Sequence, residues 1–132
     1  MRGEIGFAVM LLLPASSMSP TAARAWALRA GCPEHAVGLL DDALLLISEL
    51  VTSAVVYGGP PIVLSIECDG DGLQVRLRDG SPTPPRQRSA GPDAESGRGM
   101  TLVGILTNTW GVVPVADDHG IGTEVWLELR RN

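Results

Sequence analysis

The chain has 132 residues, 45% of them hydrophobic, which is enough for one ordinary domain with a sizeable core. Its net charge of −5 argues against nucleic-acid binding, because a phosphate backbone needs a basic face. All ten basic residues are Arg, so the missing lysines exclude a P-loop lysine and Schiff-base chemistry.

Residues Ile5 to Leu13 form a short continuous apolar run that reads as a strand buried on both faces, or one of ambiguous register. Arg2 before it and Ala23-Arg24-Ala25 after it also fit a secretory signal, but Glu4 and the early stop at Pro14 favour the strand. Pro20 to Ala30 reads as a short helix, with Ser19 placed to cap it and Gly31 to stop it. Ala22, Ala25, Trp26 and Arg29 share one of its faces. Cys32 and Cys68 are isolated and read as reduced, small apolar residues. Two histidines, His35 and His119, are too few for a His-rich metal site. No apolar run is long enough to span a membrane.

Glu34 to Tyr57 reads as the main helix, with a core stripe of Val37, Leu40, Leu44, Ile47, Val51 and Val55. Asp42, Leu45, Leu46, Glu49, Ser53 and Tyr57 lie away from that stripe. Glu49 falls between two leucines on the helical wheel, so it faces a cleft rather than open water; a partly exposed helix acid is the plainer alternative. Pro61 to Cys68 and Leu73 to Asp79 form a hairpin around the turn Asp69-Gly70-Asp71-Gly72. Alternation along the second strand puts Asp79 on its apolar face, where an acid requires a donor partner. Such an aspartate can accept from an adenine amine, or it can cap the turn Gly80-Ser81-Pro82.

Ser81 to Ser96 holds four prolines and no periodicity, the mark of an exposed flap. Gly97-Arg98-Gly99 then opens an apolar segment to Thr109 that reads as a helix, whose first N–H groups favour phosphate. Trp110 to Val115 reads as a strand, Ala116 to Gly122 as a turn, and Thr123 to Leu129 as the last strand with Thr123 facing inward. The order β-α-α-β-β-α-β-β predicts one mixed sheet with helices on one face, in a single domain over 1–132.

The segments ELVTSAVVYG, VRLRDGSPTPP, ESGRGMTLV and GTEVWLEL occur in that order. Together they resemble the GHKL ATPase superfamily, and within it the histidine-kinase-like ATP-binding domains of anti-sigma factor serine kinases. The resemblance runs over nearly the whole chain and implies an α/β (α+β) two-layer Bergerat sandwich with a flexible ATP lid at about 81–97. It implies ATP and Mg2+ as ligands, and a cytoplasmic location. It further implies an anti-anti-sigma (STAS-type) protein, a sigma factor or both as partners, and a possible homodimer.

By position, Glu49 resembles the general base, with a water-mediated link to the metal, and Ser53 stands where the family places a magnesium-binding asparagine. Asp79 looks like the adenine-reading aspartate. Ser81, Gly97, Arg98, Gly99, Met100 and Thr123 complete the implied nucleotide-binding set with Ser53 and Asp79. The chain departs from the pattern at Ser53 and at Tyr57, which replaces a histidine. Magnesium prefers oxygen ligands, and the serine hydroxyl is one bond shorter than an asparagine carbonyl, so weaker metal binding is expected. The alternative function is a module of the same fold that regulates by protein contact without phosphotransfer.

Overall fold

The computed structural model describes residues 7–30, 39–69, 72–83, 103–104, 106–118 and 120–130. Strand β1 (Phe7–Leu13) is followed by helices α1 (Ser19–Ala30) and α2 (Leu40–Ser53). The hairpin β2 (Ile62–Asp69) and β3 (Gly72–Asp79) comes next, then the hairpin β4 (Thr109–Asp117) and β5 (Gly120–Arg130).

The five strands form one sheet in the order β1-β2-β3-β5-β4. Every pairing in it is antiparallel, so the sheet is not mixed. Chain geometry explains the difference. The crossover after β3 carries the chain one position too far, and the tight hairpin return inserts β5 between β3 and β4. Strands β3 and β4, which run parallel, are therefore not neighbours.

The result is an α+β two-layer sandwich. Ile62, Leu64, Ile66 and Cys68 of β2, Leu73, Val75 and Leu77 of β3, and Val125, Leu127 and Leu129 of β5 are all buried on the helix-covered face. That alternation is the period of two read from the sequence. On α2 the buried residues are Ala43, Leu46, Ile47, Leu50 and Val51, with Ala54 continuing the row. These sit at i, i+3, i+4, i+7, i+8 and i+11, a regular amphipathic stripe. It is rotated from the expected one: Leu46 is fully buried and Leu45 exposed, while Leu44 and Val55 sit at the margin. Small alanines at two stripe positions hid the true centre. Each fully buried Leu46 or Ile47 contributes about 1.5–3 kcal/mol.

On α1 the buried apolar positions are Ala23 and Ala27 with Trp26 packed beside them, one residue round from the expected face. Their small side chains let α1 lie against α2. Ser19 does not cap α1. It lies in the helix's first turn, and its hydroxyl donates back to the Pro14 carbonyl at 2.6 Å, while Ser16 Oγ accepts the Met18 N–H.

Other boundaries moved as well. Residues 34–38 of the expected main helix lie outside the described residues. The helix after the flap is described only at Val103, Gly104 and Leu106; Val103 is buried in the core, and Thr109 belongs to β4. The expected turn from Ala116 to Gly122 is mostly strand, because β4 and β5 pair out to Asp117 and Gly120. Cys68 is disulfide-bonded, which overturns the reading of the cysteines as reduced. Cys32, the chain's other cysteine, lies outside the described residues.

Candidate functional site

Asp79 ends β3 on the helix-covered face and is 4% exposed. The β3–β5 register places Thr123, 3% exposed, directly opposite. The chain then turns sharply: the Ser81 N–H donates to Asp79 Oδ1 at 2.9 Å, and the Thr123 hydroxyl donates to the Ser81 carbonyl at 2.6 Å. Asp79, Ser81 and Thr123 thus form one hydrogen-bonded unit. Asp79 does cap its turn, which was the plainer of its two readings. A carboxylate has about four lone-pair sites, so the cap is compatible with accepting a further bond from a ligand amine.

Close backbone approach holds this unit in place. The Gly80 N–H donates to the Gly59 carbonyl at 2.9 Å. A Cβ at Gly80 would stand 2.1 Å from the Pro60 carbonyl oxygen, and one at Gly122 would stand 2.1 Å from the Asp79 carbonyl oxygen. Only glycine fits either position. Gly59 follows a wide helical turn, Ala54–Gly58, that extends α2 directly from Ser53. The end of the main helix is thereby fastened to the loop that leaves Asp79.

Glu49 and Ser53 lie one turn apart on that helix, both half-buried. Glu49 is flanked by buried Leu46 and exposed Leu45, so it sits at the margin of the core. No hydrogen bond or ion pair among the described residues engages its carboxylate. Glu49 and Ser53 therefore offer two oxygen-bearing side chains at a partly desolvated edge, a donor set that suits a hard cation or an attacking hydroxyl.

Gly97, Arg98, Gly99 and Met100 lie outside the described residues, as does the flap beyond Thr83. Within Ser81–Thr83 the Thr83 N–H donates to Ser81 Oγ at 3.1 Å, a local turn that starts the flap. The described residues contain no cluster of three or more His, Cys, Asp or Glu side chains able to hold a metal. A cleft of about 220 Å³ bounded by Met10, Val63, Arg76 and Arg78 lies on the open face of the sheet, away from Asp79.

One polar residue went unrecognised in the sequence. Arg78 alternates with the apolar residues of β3, yet it is buried, and it pairs with Asp117 at the tip of the β4–β5 hairpin. Only the β3–β5 register brings those two together, and no local signal announces it.

A family model for the histidine kinase-like ATPase domain matches residues 19–129, well over half of the chain. The fold, a five-stranded antiparallel sheet with helices packed over one face, is consistent with a two-layer sandwich of GHKL type. This chain belongs to the histidine kinase-like ATPase domain family. Membership implies that it binds ATP. No curated protein shows a significant match to the chain. No helix among the described residues is long and apolar enough to cross a membrane.

Proposed function

We propose that this protein is an ATP-binding regulatory serine/threonine kinase of the anti-sigma factor type, acting on an anti-anti-sigma (STAS-type) partner in the cytoplasm. The observation that carries the reading is the hydrogen-bonded unit of Asp79, Ser81 and Thr123, fastened through Gly59 and Gly80 to the helix that carries Glu49 and Ser53. One end recognises the base, and the other presents an acid to the phosphates.

In the proposed reaction Asp79 accepts the adenine amine. Gly97, Arg98, Gly99 and Met100 line the phosphates beside a lid over residues 81–97. The hydroxyl oxygen of a partner serine forms a bond to the γ-phosphorus, and the bond to the β,γ-bridging oxygen breaks. ADP leaves, and Glu49 takes the hydroxyl proton. Magnesium would be held by the Ser53 hydroxyl and, through water, by Glu49, where it neutralises phosphate charge; the paired side-chain oxygens one turn apart fit that group. The same protein, when not transferring phosphate, would hold a sigma factor, and the family resemblance adds a possible homodimer.

One observation favours a second reading. With serine in place of an asparagine, position 53 offers a shorter ligand, and a module that regulates by protein contact alone follows from a lost metal site. Calorimetric titration of ATP with and without magnesium separates the two. The kinase reading expects binding that strengthens with magnesium. Binding indifferent to magnesium, or no binding at all, overturns the kinase reading and favours the contact module. Ser53→Asn should tighten magnesium binding; unchanged magnesium affinity would contradict the role given to this position.

A further inference from the structure

We propose that Arg78 is a positioning residue for the nucleotide site, acting from the opposite face of the sheet. By clamping the β4–β5 hairpin onto β3, it holds Asp79 and Thr123 in the arrangement that reads the base. This rests on the reading of Asp79 as the base-recognising group.

The buried polar residues among those described are Ser19, Arg78, Asp79 and Thr123. Three of the four meet at one end of β3. Removing an arginine from water is expensive unless its bonds are well made. Arg78 precedes Asp79 in the chain, so the two point to opposite faces. Its side chain is 7% exposed and ion-paired to Asp117, which is 47% exposed. A second guanidinium nitrogen donates to the Gly120 carbonyl at 2.9 Å. The planar fork fixes both bonds together, so one side chain grips two points of the hairpin tip. Its Nε is buried without a hydrogen-bond partner among the described residues, a desolvation cost that the two bonds to the hairpin tip must offset.

The grip reaches the site through one residue. Gly122 lies against both partners: a Cβ there would meet the Asp79 carbonyl oxygen at 2.1 Å and an Arg78 guanidinium nitrogen at 3.3 Å. Thr123 follows it, paired with Asp79 and donating to Ser81. Loosening the hairpin tip therefore lets Thr123 and the Ser81 turn drift from Asp79.

Arg76 supplies the control. It lies two residues earlier on the same face and pairs with Glu124 at 2.9 Å, but it is 43% exposed and, among the described residues, makes no bond to the hairpin tip.

The test is calorimetry with ATP and GTP on the unaltered protein, Arg78→Met, Asp117→Asn and Arg76→Met, well below their unfolding temperatures. Arg78→Met and Asp117→Asn should weaken ATP roughly 2- to 30-fold and narrow the ATP-over-GTP preference, a change that lost stability alone does not produce. Arg76→Met should stay within about twofold. Amide hydrogen exchange without nucleotide should be faster at Ser81 and Thr123 in both clamp variants. If Arg78→Met does not fold, Asp117→Asn decides. Wild-type ATP affinity and base preference in a folded clamp variant would overturn the inference, as would unchanged exchange at Ser81 and Thr123. Failure of the unaltered protein to bind ATP would instead defeat the nucleotide reading, and the exchange data would still report on the clamp.

Discussion

The end of β3 and the middle of α2 carry the two halves of the proposed site, and they are built differently. At β3, Asp79, Ser81 and Thr123 are joined by hydrogen bonds of 2.9 and 2.6 Å, and Asp79 and Thr123 are buried. On α2, Glu49 and Ser53 are half-buried, with no described side-chain partner for the Glu49 carboxylate. A pre-formed, desolvated group suits recognition, because little ordering remains to be done when the ligand arrives. A carboxylate without a fixed partner suits proton transfer, because it must change partner during the reaction. On the proposed reading, what binds is separate from what reacts, and the two can be altered one at a time.

The largest expected effect lies on α2. Glu49→Gln should lower phosphotransfer by about 10²- to 10⁴-fold while ATP affinity stays within about twofold. Comparing single-turnover rates with calorimetric affinities checks this, and a parallel fall in both would merge the two regions into one. Next comes the joint between them. Gly80→Ala places a methyl 2.1 Å from the Pro60 carbonyl oxygen, so it should destabilise the fold by about 1–3 kcal/mol, measured by urea unfolding. An unchanged midpoint would mean that the α2 loop and the Asp79 loop are not tightly docked. Thr123→Val keeps the shape and removes one hydroxyl bond, so ATP affinity should fall by about 0.5–1.5 kcal/mol. No change there would show that the Ser81 turn does not depend on Thr123. The smallest effect concerns the far end of β2. A thiol titration of denatured, unreduced protein should find no free thiol, since Cys68 is disulfide-bonded. Two free thiols would restore the reduced reading of the cysteines.

The recognition half was far more legible in the sequence than its support. Strand alternation alone placed Asp79 and Thr123 on the inner face, because a period of two leaves no choice once the apolar residues are assigned. Glu49 is half-buried, which fits a cleft-facing acid and the plainer, partly exposed helix acid alike; of the two leucines that flank it, Leu46 belongs to the core and only Leu45 is exposed. Alanines at 43 and 54 carry little hydrophobic signal, so the stripe was centred on its edge. The wholly antiparallel sheet and the burial of Arg78 stayed hidden because both arise from the β3–β5 pairing. That pairing joins residues more than forty positions apart and has no local signature.

The most direct test of the account is the ATP affinity of Asp79→Asn measured beside its unfolding midpoint. Losing a charged acceptor should weaken ATP by about 1.5–3 kcal/mol while cooperative unfolding is kept. An Asp79→Asn variant that folds and binds ATP as tightly as the unaltered protein would contradict the claim that this buried carboxylate reads the base.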